Sequence, residues 1–499
     1  CVAYMQAAVG LSVAHFRTSP QWRLRTDSAF NRRVTANTPM RIAGPARGHA
    51  LLKTTRDPTG TRVNGTLFNC AAGITPWGTY LTAEENADNF FGNRRAARFT
   101  PDVERAHNRF RPRGLESRFR WEFADPRFDV ALFPKEPFKF GWIVEMDPRD
   151  RSRPIKKRTA LGRFKHEGAT VVAAPDGRIA VYMGDDEHLE YLYKFVTRDA
   201  FDPERPEANA DLLDAGTLYV ARFREDGEGE WIPLRWGEHP ELRPERGFHS
   251  QGDVVIRCRE AADRVGATPM DRPEDIAVSP RTGKVYVACT NNPDRHGGEV
   301  QSAGRVINAD PQGANPRMPN PWGHIVELSE AGADAAAEAF RWEIFLLAGD
   351  PARGRFLTSL APDETPLHAD STYFAGYPEA DEISPFAAPD NLTFDRDGNL
   401  WISTDGDQPR GNNNGCYVCP TEGPGRGAVR QFMSGPVGCE ISGCEIAPDG
   451  RTLLLGIQHP GEGGSVEAPS SHWPDGGGAA PRPSVVGICP EDPRRGLTG

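Results

Sequence analysis

The chain has 499 residues, with 59 Lys and Arg against 69 Asp and Glu, so its formal net charge is −10. This acidic balance argues against a general nucleic-acid-binding protein, which would be basic overall. Gly (52) and Pro (44) are frequent, and no apolar run approaches the ~20 residues of a membrane helix. The composition favours many short strands joined by turns, and it predicts no membrane span and no specific nucleic-acid partner.

Residues 1–45 carry no regular apolar pattern, and we expect an irregular segment there. Residues 46–499 are predicted to form a single domain, because repeat-built β proteins of this length can be one closed body. The sequence starts at Cys1 rather than at Met. An N-terminal export signal is therefore not visible in it, and localisation cannot be read directly.

The segment 69–86 brings one soft and two hard metal ligands to the two ends of a short turn. Cys70 lies near its start, and Glu84 and Glu85 lie near its end. Thiolates suit iron, zinc or copper, whereas carboxylates suit calcium, magnesium, manganese or ferric iron, so the segment could hold unlike metals together. The alternative is a small buried cysteine beside two solvated glutamates.

A cationic run lies between residues 149 and 158 and is predicted to be a solvated loop. Near a binding site the same run would attract anionic substrates. It consists of Arg149, Arg151, Arg153, Lys156, Lys157 and Arg158.

A turn with Asp-Gly or Thr-Gly, followed by an apolar strand and a polar tip, occurs four times, at 175–187, 282–292, 397–406 and 449–459. Asp-Gly before an apolar run predicts a hairpin, because glycine supplies the positive φ that tight turns demand. Another apolar strand precedes each turn and carries an acid near its start. These acids are Glu167, Glu274, Asp390 and Glu440.

An acid at the start of one hairpin strand ends up near the tip of its partner strand. Hairpins repeated around an axis would therefore bring these acids together at one end of a channel, as in a β-propeller. The alternative is an irregular β-sandwich with acids spread over its surface. We predict an all-β propeller with small helical insertions: a helix at 329–340 and a strand at 484–488 that closes the ring.

Cys416, Cys419, Cys439 and Cys444 form two closely spaced pairs. Such spacing could hold structural zinc, but disulfides and free thiols are equally compatible with it.

Six segments together resemble the PhoX-type alkaline phosphatases, and they run in order from about residue 45 to about residue 475. They are NCAAGITPWGTYLTAEEN at 69–86, GRFKHEGA at 162–169, GDDE at 184–187, RPED at 272–275, NPWGHI at 320–325 and GPVGCE at 435–440. The resemblance implies a six-bladed propeller with a cluster of Fe³⁺ and Ca²⁺ bridged by an oxo group. It also implies a secreted enzyme that hydrolyses phosphate monoesters.

Transferred residue by residue, the resemblance makes Cys70 an iron ligand, with Glu84, Glu167 and Glu274 supplying carboxylates to iron and calcium. Further oxygen donors in matching contexts are Glu85, Asp185, Asp186, Asp390 and Glu440. In each acid doublet, strand alternation should send one side chain to the site and the other away from it.

Arg272 looks like the residue that binds the phosphate, since a guanidinium fork pairs two phosphoryl oxygens. The alternative for Arg272 is a salt bridge to Glu274 or Asp275. Lys165 is a weaker candidate for the same catalytic role. His166, His324 and His459 lie beside turns or aromatic residues, so we expect hydrogen-bonded structural roles for them.

We therefore hypothesise a monomeric, metal-dependent phosphatase acting on small phosphorylated substrates, periplasmic or secreted, with a cytoplasmic location still open. One alternative is a calcium-dependent lactonase or esterase of the gluconolactonase type, which the segment 389–401 also resembles. Another is a non-catalytic propeller that calcium merely stabilises. Cys70 separates these hypotheses, because a calcium-only protein has no use for a thiolate ligand.

Overall fold

The structure is a computed structural model and describes residues 1–18, 22–110, 112, 114–360, 365–492 and 496–497. Within these residues the chain is mostly β, as predicted, with short helices between strands. No helix in this part of the chain is long and apolar enough to span a membrane.

The helices are α1 (Val2–Ala8), α2 (Pro101–Asn108), α3 (Gln251–Ile256) and α4 (Cys258–Val265). The strands in the first half of the chain are β1 (Gly10–Val13), β2 (Phe16–Arg17), β3 (Arg23–Leu24), β4 (Arg32–Thr35), β5 (Pro39–Ala43), β6 (Arg62–Asn64), β7 (Asn69–Ile74), β8 (Tyr80–Glu84), β9 (Ile143–Met146), β10 (Lys156–Arg158), β11 (Thr170–Ala173), β12 (Arg178–Gly184), β13 (Leu192–Ala200), β14 (Gly216–Phe223) and β15 (Glu228–Pro233). Those in the second half are β16 (Pro273–Val278), β17 (Val285–Cys289), β18 (Glu299–Ser302), β19 (Arg305–Asn308), β20 (His324–Glu330), β21 (Ala339–Leu347), β22 (Phe356–Leu357), β23 (Thr372–Phe374), β24 (Pro389–Phe394), β25 (Asn399–Thr404), β26 (Gly415–Pro420), β27 (Arg430–Ser434), β28 (Glu440–Ile446), β29 (Leu453–Gln458) and β30 (Ser484–Ile488).

The N-terminal segment is less irregular than expected. It contains α1, a β1–β4 pair and a β2–β3 pair, and β5 joins a six-stranded sheet in the order β6-β5-β10-β9-β8-β7. The parallel pairing of β5 with β10 ties this segment to the rest of the chain. The division of the chain at residue 45 remains a prediction.

All four predicted hairpins are present, as the antiparallel pairs β11–β12, β16–β17, β24–β25 and β28–β29. The glycine in each connecting turn has a positive φ between +67° and +85°, as the Asp-Gly and Thr-Gly signals require. In each pair apolar residues face one another, for example Ile276 opposite Val287 and Ile441 opposite Ile457.

The first strands of successive sheets pack side by side in the order β7, β11, β16, β24 and β28. Each continues outward into its own sheet, such as β24-β25-β26-β27 and β28-β29-β30, while the sheets that begin at β11 and β16 are joined through β15 and β21. This is a propeller-like arrangement with hydrophobic clusters between the sheets. The described strands do not confirm six blades.

Two local predictions are corrected. Residues 329–340 are not a helix but the end of β20, a connection with one short 3₁₀ turn at Ala331–Ala333, and the start of β21. The cationic run is not wholly solvated, because Lys157 and Arg158 are buried in β10. The strand predicted at 484–488 is present as β30 and pairs with β29 of its own sheet, and closure of the ring by this strand remains a prediction.

Candidate metal and phosphate site

An open cavity of about 470 Å³ lies where the first strands of the sheets begin and their partner strands end. We call it the acidic cavity, since most of its charged residues are carboxylates. It is lined by Phe68, Asn69, Cys70, Ala71, Glu85, Asn86, Arg118, Glu167, Asp186, Arg272, Glu274, Asp390, Asn391, Asp405, Glu440, Ser442, Gly443, Gln458, His459 and Glu462. The hairpin acids thus converge at one end of the sheets, as the propeller prediction required.

Cys70, on β7, meets two carboxylates from other segments. Its thiol donates a hydrogen bond to Glu167 Oε1 at 3.0 Å, and possible ligand atoms of Cys70, Glu85 and Glu167 lie within 4.8 Å of one another. Burial and the charges of Glu167 and Glu85 raise the pKa of the Cys70 thiol well above its usual range. The structure therefore places the Cys70 thiol directly against carboxylates.

A second group joins residues from three of the predicted hairpins, with carboxylate oxygens of Glu167, Glu274 and Asp390 within 4.8 Å of one another. Glu274 lies on β16 and Asp390 on β24, and the strand register shifts next to both residues. Such bulges bend a strand and redirect its side chains. Asn391, which follows Asp390, donates to Glu167 Oε1 at 3.2 Å and links the second group to the first.

Burial and mutual repulsion dominate the electrostatics of these groups. Burial and the charge of Asp186 raise the pKa of Glu167 to about 8. Burial and neighbouring carboxylates also raise the pKa of Glu85, Glu274 and Asp390 well above their usual range. Buried like charges this close cannot all ionise unless cations join them.

Arg272 is a cation that lines the cavity and pairs with its carboxylates. Its Nε and Nη2 donate to the two carboxylate oxygens of Asp186 at 2.8 and 2.9 Å, and Nη2 lies 3.0 Å from Glu274 Oε1. Burial alone would raise the pKa of Asp186, but this forked pairing with Arg272 lowers it to about 2. The alternative prediction, a salt bridge from Arg272 to Glu274 or Asp275, is thus confirmed for Glu274. The main partner of Arg272, however, is Asp186.

The structure does not bring Glu84 and Asp185 to the acidic cavity. Glu84 is fully buried and accepts from Lys157 Nζ at 2.7 Å, with backbone amides filling its remaining acceptor positions. Asp185 is equally buried and accepts from Arg259 Nε at 2.7 Å. Each neighbour in sequence, Glu85 and Asp186, lines the cavity instead.

Lys165 does not line the cavity either. Its ammonium group lies 3.4 Å from Glu187 Oε1. Burial alone would lower the pKa of Lys165, but the carboxylates of Asp88 and Glu187 raise it above its ordinary value. Lys165 therefore pairs with Glu187 and interacts with Asp88, neither of which lines the cavity.

Glu440 does line the cavity, at the start of β28, and it belongs to a third group with Asp405 and His459. His459 Nε2 lies 3.1 Å from Glu440 Oε2, and this hydrogen bond raises the pKa of His459 to about 9. Asp405, Asn391 and Arg118 were not singled out by sequence reasoning. Asp405 could have been found, because it is the acidic tip of the third predicted hairpin.

His166 and His324 have the structural roles expected of them. His166 Nε2 lies 2.9 Å from the Gly162 carbonyl, and its ring stacks on Phe164. His324 Nε2 lies 2.9 Å from the Ala314 carbonyl. Burial lowers the pKa of His166 to about 3 and that of His324 to about 4.

The four closely spaced cysteines are buried free thiols, with Cys416 and Cys444 3.8 Å apart at Sγ. Among the described residues, none of the possible metal-ligand groups includes them. The structure therefore gives no support to a zinc site there.

Comparison with known families decides which family this chain represents. The family described as "Alkaline phosphatase PhoX" matches residues 2–461. The chain belongs to the PhoX alkaline phosphatase family. Membership makes it a phosphoric monoester hydrolase, which excludes the non-catalytic alternative.

A solved PhoX structure supports this assignment. Pseudomonas fluorescens PhoX, in complex with the transition state analogue vanadate, is 41% identical over 97% of this chain and 80% of that one, with a TM-score of 0.83. A gluconolactonase from Xanthomonas campestris is 13% identical over 90% of this chain and 94% of that one, but the TM-score is only 0.29. That likeness carries no argument for a lactonase. A comparison with curated proteins gave no match.

Proposed function

We propose that this PhoX-family enzyme hydrolyses small phosphate monoesters with a mixed Fe³⁺ and Ca²⁺ cluster held in the acidic cavity. The observation that carries the proposal is the contact of Cys70 with Glu167 inside a group of carboxylates from different sheets. A monomeric, exported enzyme fits the family resemblance. The blade number of six is proposed on the same resemblance.

The donor set fits such a cluster. Ferric iron accepts a thiolate together with carboxylates, and calcium needs six to eight oxygens. Metal ions would lower the pKa of Cys70 and of the carboxylates around it, because a nearby cation favours the charged form of each group. The proposed ligands are Cys70, Glu85, Glu167, Asp186, Glu274, Asp390 and Glu440, with Asp405 and Asn391 as further oxygen donors.

Glu84, Asp185 and Lys165 are left out of the proposed site. Ion pairs with Lys157, Arg259 and Glu187, respectively, already engage their charged groups. Their role in the proposal is to hold the backbone from which Glu85 and Asp186 reach the cavity.

Arg272 is the proposed phosphate contact. Two of its nitrogens are fixed by Asp186, whereas Nη1 makes only a long contact of 3.5 Å with Asn291 Oδ1 among the described residues. Nη1 can therefore donate to a phosphoryl oxygen while the fork keeps the guanidinium in place. A bound cluster would neutralise phosphoryl charge and lower the pKa of an attacking water.

The decisive experiment is elemental analysis of purified protein together with p-nitrophenyl phosphate hydrolysis. We expect iron and calcium in the wild type and loss of activity with a chelator. In Cys70→Ala we expect iron to be lost and kcat/KM to fall by about 100-fold or more, because a direct ligand is removed.

Cys489→Ser is the matched control, since Cys489 is an exposed free thiol outside the cavity. It should keep wild-type iron content and activity. Wild-type iron and activity in Cys70→Ala would contradict the mixed cluster, and a wild type without either metal would overturn the whole site.

A further inference from the structure

A fully buried carboxylate directly before Arg272 has no part in the proposed chemistry. Asp271 accepts hydrogen bonds from Asn292 Nδ2 and Asn320 Nδ2, both at 2.9 Å. Its backbone amide donates to Asn315 Oδ1 at 3.0 Å. These partners come from two loops of the chain, so one side chain ties both loops to the start of β16.

Arg295 completes this network. Its Nε donates to Asp271 Oδ1 at 2.7 Å, and its Nη1 donates to the Asp310 carbonyl at 2.9 Å. Asp271, Arg295 and Asn320 are all 0% exposed. A buried ion pair with this many hydrogen bonds holds its surroundings in a single arrangement, because any rearrangement leaves a buried charge unpaired.

The network surrounds a strained residue. Arg272 has φ of +55°, in the left-handed region that residues with a Cβ rarely adopt. The Thr290 amide donates to the Arg272 carbonyl at 3.1 Å, and the next residue, Asn291, faces Arg272 Nη1. Asp271 also pairs through its backbone with His188, two residues after Asp186.

We propose that Asp271 is the positioning residue for Arg272. Its network fixes the left-handed backbone of Arg272 and the loop that carries Asn291, so that the guanidinium meets Asp186 and the substrate in one orientation. The inference rests on the proposed phosphate contact of Arg272. A displacement of about 1 Å in such a group can cost as much as ~100-fold in rate.

A double-mutant cycle tests the inference, with Asp271→Asn and Arg272→Lys measured singly and together by kcat/KM for p-nitrophenyl phosphate. An asparagine has one acceptor oxygen where three side-chain donors now point, so it must disturb the network. We expect Asp271→Asn to cost about tenfold or more alone, but about twofold or less in the Arg272→Lys background. A merely structural role would give equal losses in both backgrounds.

Glu330→Gln is the matched control. Glu330 is a buried carboxylate that accepts from Lys194 at 3.0 Å and Tyr182 at 2.7 Å, away from the cavity. The Glu330→Gln substitution should lower the Tm, and it should change kcat/KM by the same factor in the wild-type and Arg272→Lys backgrounds.

Asn292→Ala serves if Asp271→Asn does not fold, because it removes one donor and keeps the ion pair with Arg295. Its smaller loss should also vanish in the Arg272→Lys background. If Arg272→Lys lowers kcat/KM and the loss from Asp271→Asn is the same in both backgrounds, the positioning role of Asp271 is overturned while the phosphate contact of Arg272 stands. An unimpaired Arg272→Lys variant would overturn the proposed phosphate contact and the inference with it.

Discussion

At the residue scale, the site depends on which member of each acid doublet faces the cavity. Glu85 and Asp186 face it, while Glu84 and Asp185 point into the protein. Side chains alternate along a strand, so neighbours diverge. The sequence predicts that one of each pair turns away, but only the position of Lys157 and Arg259 decides which one.

Adjacent glutamates should therefore respond differently to the same substitution. Glu84→Gln leaves the buried ammonium of Lys157 without its counter-charge and should lower the free energy of unfolding by about 3–5 kcal/mol. Metal content per folded molecule should stay at the wild-type level. The measurements are chemical denaturation and elemental analysis.

Glu85→Gln should show the opposite pattern, with reduced metal content and activity but a smaller stability loss in chelated protein. This follows because burial and neighbouring carboxylates already disfavour the charged form of Glu85 in metal-free protein, so an uncharged amide there costs little. Equal metal loss in both variants would contradict the assignment of Glu85 rather than Glu84 to the site.

At the element scale, the inner strands approach one another so closely that specific glycines are required. A Cβ at Gly184, the last residue of β12, would collide with the carbonyl oxygens of Pro273 and Glu274 on β16. Gly73 on β7 meets the Ala169 carbonyl in the same way. These contacts set the spacing between segments that carry Asp186 and Glu274.

Gly184→Ala should therefore lower stability by about 1–3 kcal/mol and reduce phosphatase activity, since the two strands must move apart. Thermal unfolding and kcat/KM measure the two effects. Gly478→Ala is the control, because no described atom lies within 4 Å of the added carbon. A Gly184→Ala variant as stable and active as this control would show that the strands tolerate the displacement.

At the scale of the whole molecule, the acidic cavity stores repulsion that protons or metal ions must relieve. Glu167 has a pKa raised from 4.5 to about 8, so between these values the folded metal-free protein binds more protons than the unfolded chain. Its stability must then fall as pH rises through this window. Bound cations stabilise the ionised carboxylates, so the metal-loaded protein should lose less stability over the same pH range.

The Tm of chelated protein should consequently drop between about pH 5 and about pH 8, by on the order of 5 °C more than that of metal-loaded protein. Differential scanning calorimetry of both forms across this range measures the difference. Parallel Tm profiles would show that the cavity carboxylates do not carry this linkage.

Much of the architecture could be predicted because its signals are local. Each Asp-Gly or Thr-Gly turn specifies a hairpin through the φ of one glycine, and the apolar residues on either side specify the strands. The helix predicted at 329–340 failed because alanine-rich propensity is a weak signal, and pairing of β20 with β21 overrides it.

The sequence by itself determined the hairpins and the placing of acids near the ends of strands, because these follow from turn chemistry and side-chain type, and it singled out Cys70 as a candidate ligand. Only the tertiary structure decided which acids meet, since Glu167, Glu274 and Asp390 lie far apart in the chain and strand bulges redirect the side chains. It also decided that Arg272 pairs with Asp186. Those contacts join residues far apart in the chain, and local patterns carry no information about such contacts.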